Sequence, residues 1–397
     1  MKVAGAGMAN RGRVLAALIP RPASRTDLAE QTGLSKPTVS RVVESLLSEG
    51  LVREKEAVPK NPVGRYVVPL EFSSDRGVVC GVDLGATTTR FLLSDLGGRP
   101  RAIDRRPTSR RNGGKALSRW LFTRVEELRE RAGETELWGL AVGVPGVVHP
   151  ETEEIRCAPN LPSIEGRAFA SGLRSHLSHV AIDNDANFAL LGELYFGSAR
   201  GFRSGVMFTI GTGVGAAAAV DGALYRGRTG FAGEFGYMLT GSDSKTLEDA
   251  ISGAGLLKAA ADLGLDISST EEIFAADADP GVQELRLEAE HSLLTALTAV
   301  TAAYEPEVIV LGGGVSASLD PWLPKLAADL RELVPSASPV VISELSDLAG
   351  ALGALVAALN QAYARIGVSL ADLDGAPGAV RSDEVIEWLE RATADVS

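Results

Sequence analysis

Val180–Ile182 has the pattern of a strand and runs into Asp183-Asn184-Asp185, with a helical pattern beginning around Ala186. Carboxylates at the C-terminal end of a strand, beside a helix N-terminus, sit at the crevice where α/β sheets place their ligands. Asp185 is therefore a candidate general base and Asn184 a candidate partner for a ligand hydroxyl. Capping of the helix by Asp183 or Asp185 is the alternative reading. Upstream, the apolar run Val78–Val82 leads into Asp83-Leu84-Gly85-Ala86-Thr87, a second strand over Thr89–Ser94 and a Gly97-Gly98 turn. A carboxylate, a glycine that admits close backbone approach and a threonine hydroxyl are the parts that hold a metal-bound phosphate, so Asp83, Gly85 and Thr87 form a candidate phosphate hairpin. A plain structural hairpin has the same look.

The design recurs downstream. Val206–Ile210, then Gly211-Thr212-Gly213-Val214-Gly215, then a small-residue run to Val220 repeat strand, glycine turn and strand, as a duplicated architecture would. Gly211, Thr212 and Gly213 would grip the other side of a triphosphate. Val308–Ser316 reads as a buried strand entering Gly312-Gly313-Gly314, where Gly313 would let a purine and ribose approach the backbone.

A different module precedes these segments. From Arg25 the chain places Leu28, Ala29, Leu34, Val39, Val42, Val43, Leu46 and Leu47 at helical spacing. Gly33 suits a tight turn and Ala29 lets two helices cross closely. Ser35 stands where an N-cap belongs and Pro37 falls in the first turn. The spacing predicts a helix-turn-helix whose second helix starts near Lys36, leaving Ser35, Lys36, Thr38, Ser40 and Arg41 on the side that a recognition helix turns to the major groove. Beyond Leu51-Val52, two β-prone runs flank a basic turn rich in Pro, Gly and Asn. That reads as a wing from which Lys60 and Arg65 would reach phosphate or a narrow minor groove. A helical interaction module is the competing reading. Residues 1–70 hold 11 Lys and Arg against 6 Asp and Glu, a net +5 on a chain whose total is −12. A basic arm on an acidic body is the asymmetry expected when one end meets nucleic acid.

At 397 residues the chain exceeds one ordinary core, so at least two domains are expected. No stretch reaches the roughly 20 apolar residues of a membrane span. Arg11, Arg13 and Arg21 break up the N-terminal apolar run Val14–Ile19, so no signal peptide is expected and a cytoplasmic location follows. Cys80 and Cys157 are the only cysteines; each has an apolar or strand-like setting and is expected to be a reduced core thiol.

The order Gly227-x-x-Gly230-x-Ala232-Gly233-Glu234-x-Gly236, in register with Val144-Pro145-Gly146 and Ala158-Pro159-Asn160-Leu161-Pro162, resembles the ROK family of repressors, open reading frames and kinases. The similarity runs from Leu28 to about Asn360. It implies a winged helix-turn-helix followed by a two-lobed α/β domain of the actin-like, sugar-kinase-like, ribonuclease H-like type. The corresponding parts are a DNA-binding domain over 1–72, a first lobe over 77–182 completed by a C-terminal helix at about 346–364, and a second lobe with sugar loops over 183–345. An acidic tail follows at 372–397; it is broken by Gly and Pro, then amphipathic around Val385, Ile386, Trp388 and Leu389, and reads as a packed helix or an appendage.

Position by position, the resemblance implies that Asp185 takes a sugar hydroxyl's proton in an active kinase, and that Asn160, Asn184, Asp185, Glu234 and Glu248 face the sugar. Tyr237 stands where the family has a sugar- and zinc-binding histidine, and residues 241–250 where it has a cysteine cluster. No structural zinc is expected, because none of the four histidines lies with a cysteine at ligand spacing. The expected function is a sugar-responsive DNA-binding regulator, a repressor of carbohydrate-metabolism genes. It would act on a double-stranded operator as a homodimer or dimer of dimers, with a small sugar as effector, no membrane partner and no required cofactor. The alternative is a sugar kinase using ATP and Mg²⁺, with an accessory DNA-binding arm.

Overall fold

The computed structural model describes residues 2–59, 66–109, 113–133, 136–241, 244–275, 279–369 and 373. The N-terminal arm is built from α1 (Lys2–Leu18), α2 (Arg25–Thr32) and α3 (Lys36–Ser48). A capping box starts α2: the Ser24 hydroxyl accepts from the Asp27 N–H, and the Asp27 carboxylate accepts from the Ser24 N–H. Gly33, at φ 68°, ends it. The Ser35 hydroxyl accepts from the Thr38 N–H to start α3. Leu28, Val39, Val43 and Leu46 are buried against Val14, Leu15 and Leu18. The sequence pattern predicts no helix before Arg25; α1 carries three glycines in 17 residues and forms because its last two turns close the arm's core. Val52–Glu54 pairs antiparallel with Leu70–Phe72 and Val58–Pro59 with Tyr66–Val67, giving the wing ribbon. Lys60 and Arg65 lie outside the described residues.

In the body, β1 (Val78–Leu84), β2 (Thr88–Asp95) and β3 (Pro100–Pro107) form an antiparallel meander. Strands β4 (Leu137–Val144) and β5 (Val180–Asn184) extend it in parallel from β1, giving the order β5-β4-β1-β2-β3. The second sheet consists of β6 (Gly205–Ile210), β7 (Val214–Val220), β8 (Ala223–Leu224), β9 (Val308–Gly312) and β10 (Val340–Ile342). It repeats the topology strand for strand in the order β8-β7-β6-β9-β10. Strand β4 is apolar throughout, and β1 is apolar up to Asp83, because both faces of the sheet are covered. On one face Cys80 and Val82 pack against Leu117 and Leu121 of α4 (Gly114–Arg131), with α5 (Ala168–Arg174) beside it. The other face meets Leu352, Leu355 and Leu359 of the C-terminal helix Ala349–Arg365.

That C-terminal helix also crosses α6 (Asp185–Phe196) at backbone contact. A Cβ on Gly353 would overlap the Phe188 carbonyl oxygen, and one on Gly192 would overlap that of Ala349. The arm joins the body nearby. Phe72 meets Tyr363 edge-on at 6.5 Å between centroids, the Tyr363 hydroxyl donates to the Leu96 carbonyl, and Gly12 of α1 touches the Gly367 carbonyl. No helix among the described residues is long and apolar enough to cross a membrane.

Gly353→Ala is expected to cost about 1–3 kcal/mol, since a methyl in this crossing must push the two helices apart. Gly7→Ala, where the added carbon meets nothing within 4 Å, should be neutral or stabilise by up to about 1 kcal/mol. Urea unfolding of both variants measures the contrast; equal effects would show that the crossing is not tight.

Candidate ligand site between the lobes

A cavity of about 380 Å³ lies between the lobes, lined by Asn160, Asn184, Asp185, Glu234, Tyr237 and Glu248, by the glycine turn Gly211-Thr212-Gly213, and by Gly313. Its size suits a small polar molecule. The end of β5 delivers Asn184 and the first turn of α6 delivers Asp185. Asn184 itself caps α6: its Oδ1 accepts from the N–H groups of Ala186 at 2.9 Å and Asn187 at 3.2 Å, and its Nδ2 donates to the Gly146 carbonyl at 3.1 Å. One amide N–H of Asn184 remains for a ligand, so the residue positions more than it binds. Asp183 accepts from the N–H of the cap residue Asn184 at 2.9 Å but from no N–H of α6 itself among the described residues. Its carboxylate accepts from Asn187 Nδ2 at 2.7 Å and from Arg226 Nε at 2.7 Å, tying the head of the glycine-rich loop to the first lobe.

That loop threads between the sheets to present Glu234. Gly230 and Gly233 have φ of 87° and 95°; a Cβ on the first would overlap the Val148 carbonyl of one lobe, and on the second the Ala216 carbonyl of the other. Only glycine fits both the conformation and the space. Glu248 lines the cavity while its Oε2 accepts from the Val214 N–H at 3.0 Å, and the Gly211 carbonyl accepts from the Gly253 N–H at 2.7 Å. The second glycine turn is thus braced from behind. Gly313, at φ 89°, lines the cavity and packs on the Ile210 backbone.

Asp185 accepts from the Ala186 N–H at 2.9 Å. Burial, reinforced by the charges of Asp83 and Glu234, pushes its pKa up to about 7, which suits a general base at neutral pH. Burial and then Glu248 raise Glu234. Asp83 is pushed up to about 6 by burial, against the pull of Arg90, which it meets at 3.3 Å and which also binds Asp347 at 2.6 Å. Asp83, Gly85 and Thr87 are not among the residues lining the cavity. Thr108 fixes their hairpin, its hydroxyl donating to the Gly85 carbonyl at 2.6 Å and its N–H to the Thr87 carbonyl at 2.8 Å. Asp83, Thr87 and Thr212 are side chains of the types that Mg²⁺-bound phosphate needs, though Asp83 already has a cationic partner.

Three further positions differ from the sequence-based expectation or escape it. Cys80 is buried, but Cys157 is exposed and lines the cavity; the short strand Ile155–Arg156 ends before it and the chain turns to φ 54° there. Arg226 and Thr108 lack any periodic or motif signal of their role. Tyr237 is 58% exposed and leans on Phe231, with centroids 5.6 Å apart. On the arm, Ser35, Lys36 and Arg41 are exposed while Thr38 and Ser40 are half-buried. The Ser35 and Thr38 hydroxyls share a hydrogen bond of 2.8 Å. Among the described residues no cluster of His, Cys, Asp and Glu could hold a metal ion.

The raised carboxyls make a pH prediction. Between about pH 4 and 7 the folded body holds protons on Asp83 and Asp185 that the unfolded chain has released. Their contribution to stability is full at low pH and is lost as pH rises through 6 to 7. Asp185→Asn should therefore stabilise the body at pH 8 by on the order of 2 kcal/mol and flatten the decline in melting temperature from pH 5 to 8. Calorimetry across that range tests it, and a steeper decline in the variant would contradict it.

A family model described as the ROK family matches residues 79–361, and one described as the HVO_A0261 N-terminal domain matches residues 4–66. The xylose repressor of Caldicellulosiruptor bescii is 33% identical over 218 residues, which are 54% of this chain and 54% of that protein. The chain spans about half the length of the xylose repressors it matches. The crystal structure of a ROK family transcriptional regulator, a homologue of the E. coli MLC protein, superposes with a TM-score of 0.73 over 96% of this chain and 99% of its own, at 21% identity; it shares the fold. The ROK hexokinase of Thermus thermophilus gives 0.61 over 71% and 97%, at 28% identity. With the family model spanning more than half of the residues, in register with the glycine loop, both sheets and the inter-lobe cavity, the chain belongs to the ROK family.

Proposed function

We propose that the chain is a sugar-responsive DNA-binding transcriptional regulator, a repressor of carbohydrate-metabolism genes. The observation that carries this reading is the arm: a capped helix α3 with Lys36 and Arg41 exposed and, among the described residues, unpaired with any carboxylate. It stands on a body whose cavity gathers Asn160, Asp185 and Glu234. Carboxylates and amides of that kind accept and donate to sugar hydroxyls, and leaving them unpaired when the wrong ligand binds gives selectivity. The names of the xylose repressors support the reading. A DNA-reading arm has no use in a metabolic enzyme.

On this reading a homodimer, or a dimer of dimers, reads an operator of two half-sites. The sugar acts by binding one arrangement of the arms more tightly than another. Asn160, Asp185, Glu234 and the Tyr237 hydroxyl hold the sugar, Asn184 and Glu248 keep the walls in place, and no cofactor is required. A second reading draws on the Asp185 pKa of about 7. In a kinase, Asp185 would take the proton of a sugar hydroxyl, while Asp83, Thr87 and Gly211-Thr212-Gly213 would hold Mg²⁺-bound ATP, the phosphoryl donor.

Fluorescence anisotropy with the duplex upstream of the protein's own gene, in a salt series and with a panel of pentoses and hexoses, separates the readings. Lys36→Ala and Arg41→Ala are each expected to weaken binding by about 10-fold, with a shallower salt slope where a phosphate contact is lost. Asp185→Asn should leave DNA affinity intact and abolish the sugar response. Absence of salt-sensitive, sequence-selective binding would overturn the regulator. ADP release above background over the same sugars, lost in Asp185→Asn, would establish the kinase.

A further inference from the structure

The mouth of the cavity carries an apolar rim that the hydroxyl chemistry of its interior does not use. On the glycine-rich loop, Phe235 and Met238 pack on the core of the second lobe, Phe235 against Phe208 and Tyr304 with ring centroids 5.8 and 6.5 Å apart. Their neighbours lie on the outside: Phe231 is 48%, Tyr237 58% and Leu239 59% exposed. The two inward anchors, with Gly230 and Gly233 wedged against the Val148 and Ala216 carbonyls, fix the loop and keep these three side chains in water.

All three belong to one edge of the cavity. Tyr237 lines it, and its hydroxyl interacts with the Cys157 thiol of the first lobe, which lines it as well. The Phe231 ring lies 5.6 Å from that of Tyr237, tilted by 34°. Leu239 forms a β-bridge with Thr246, another lining residue. Single apolar side chains on a surface need no explanation, whereas a contiguous group at the rim of a polar cleft marks a binding surface.

Phe231 and Leu239 do not line the cavity, so one sugar ring held at Asp185 and Glu234 leaves them uncovered. A pyranose carries hydroxyls round its edge and C–H groups on its faces. The edge suits the carboxylates inside; the C–H face suits an aromatic ring, whose π face is electronegative. Aromatic side chains fixed in advance offer that area with little rotamer entropy left to lose.

We propose that the ligand is a disaccharide or longer oligosaccharide, with one terminal ring at Asn160, Asp185 and Glu234 and the next ring lying with its C–H face on Phe231, Tyr237 and Leu239. This rests on the reading of the cavity as a sugar site and adds the size of the sugar to it. A monosaccharide fills the inner position alone and binds more weakly.

Calorimetric titration of the full chain compares glucose, xylose, mannose and N-acetylglucosamine with disaccharides of each. The best disaccharide is expected to bind about 10-fold tighter than its monosaccharide. The double variant Phe231→Ser, Leu239→Ser should lose that advantage and keep the monosaccharide affinity, while Asp185→Asn should lose both. Disaccharides that bind no tighter than monosaccharides would overturn the oligosaccharide and leave the sugar site standing; no binding by any saccharide would overturn both. Saturation-transfer NMR on the unmodified chain needs no variant: irradiating aromatic protons should saturate the second ring more than the terminal one, and the reverse order would overturn the proposal. Sedimentation of the double variant should match that of the parent chain; a smaller assembly would assign these side chains to a contact between copies and overturn it as well.

Discussion

The backbone contact between α6 and the C-terminal helix is the constraint on which the rest of the molecule depends. Gly192 and Gly353 let the two helices touch without side chains between them. The same C-terminal helix lies on the first sheet through Gly81 and Gly139, where a Cβ would overlap the backbone of Leu355 and Ala358. Sheet, helix and α6 therefore stack at the smallest separation that backbones allow. Glycine costs about 0.5–1 kcal/mol of helix or strand stability at each such position, and close packing over the long buried faces offsets it. Asp185 sits on the first turn of α6, so its place is set by this stack rather than by any loop. Tyr363, on the same helix, reaches Phe72 of the arm, so one rigid element touches the cavity's carrier helix, the first sheet and the N-terminal arm.

Charge in the cleft follows a different logic. Asp83 and Asp183 are each paired with an arginine, while burial raises the cost of ionising both Asp185 and Glu234, with Asp83 and Glu234 adding to it at Asp185 and Glu248 adding to it at Glu234. A buried carboxylate without a cation is expensive, and a hydroxyl donor is the ligand group that lowers that cost without neutralising the site. A molecule rich in hydroxyls thus gains from the same repulsion that weakens the empty fold above pH 7. Ligand affinity and fold stability are linked through Asp185.

Much of the fold was legible because its signals are local. Near-continuous apolar strands, a repeated glycine hairpin, and the N-cap and turn residues at Ser35 and Gly33 each have a short-range physical cause. The cavity-lining residues were legible from the glycine-rich loop and from Asp185 at a strand end. What was hidden depends on contacts distant in sequence. Thr108 matters through its hydrogen bonds to Gly85 and Thr87. Arg226 matters through Asp183, 43 residues earlier. The sequence offers Asn184 as a ligand group and Asp183 or Asp185 as the cap, and only the start of α6 shows that Asn184 is the cap. Helix α1 escaped because glycine and alanine blur its periodicity, and Cys157 was misplaced because it falls just past the end of a strand.

The two sheets share one topology, yet their glycine turns do different work. The first turn is closed by Thr108 and carries Asp83 against Arg90; the second is braced by Glu248 and Gly253 and alone lines the cavity. A fold that doubles a hairpin gains two symmetric turns, and here Asp83 beside the first meets Arg90 while the Val214 N–H beside the second is taken by Glu248. Asp185 and Glu234 line the cavity with no arginine against either among the described residues. The asymmetry between the turns thus favours a body whose working ligand is the hydroxyl-bearing one, with the duplicated hairpins serving first as the frame that holds the lobes around it.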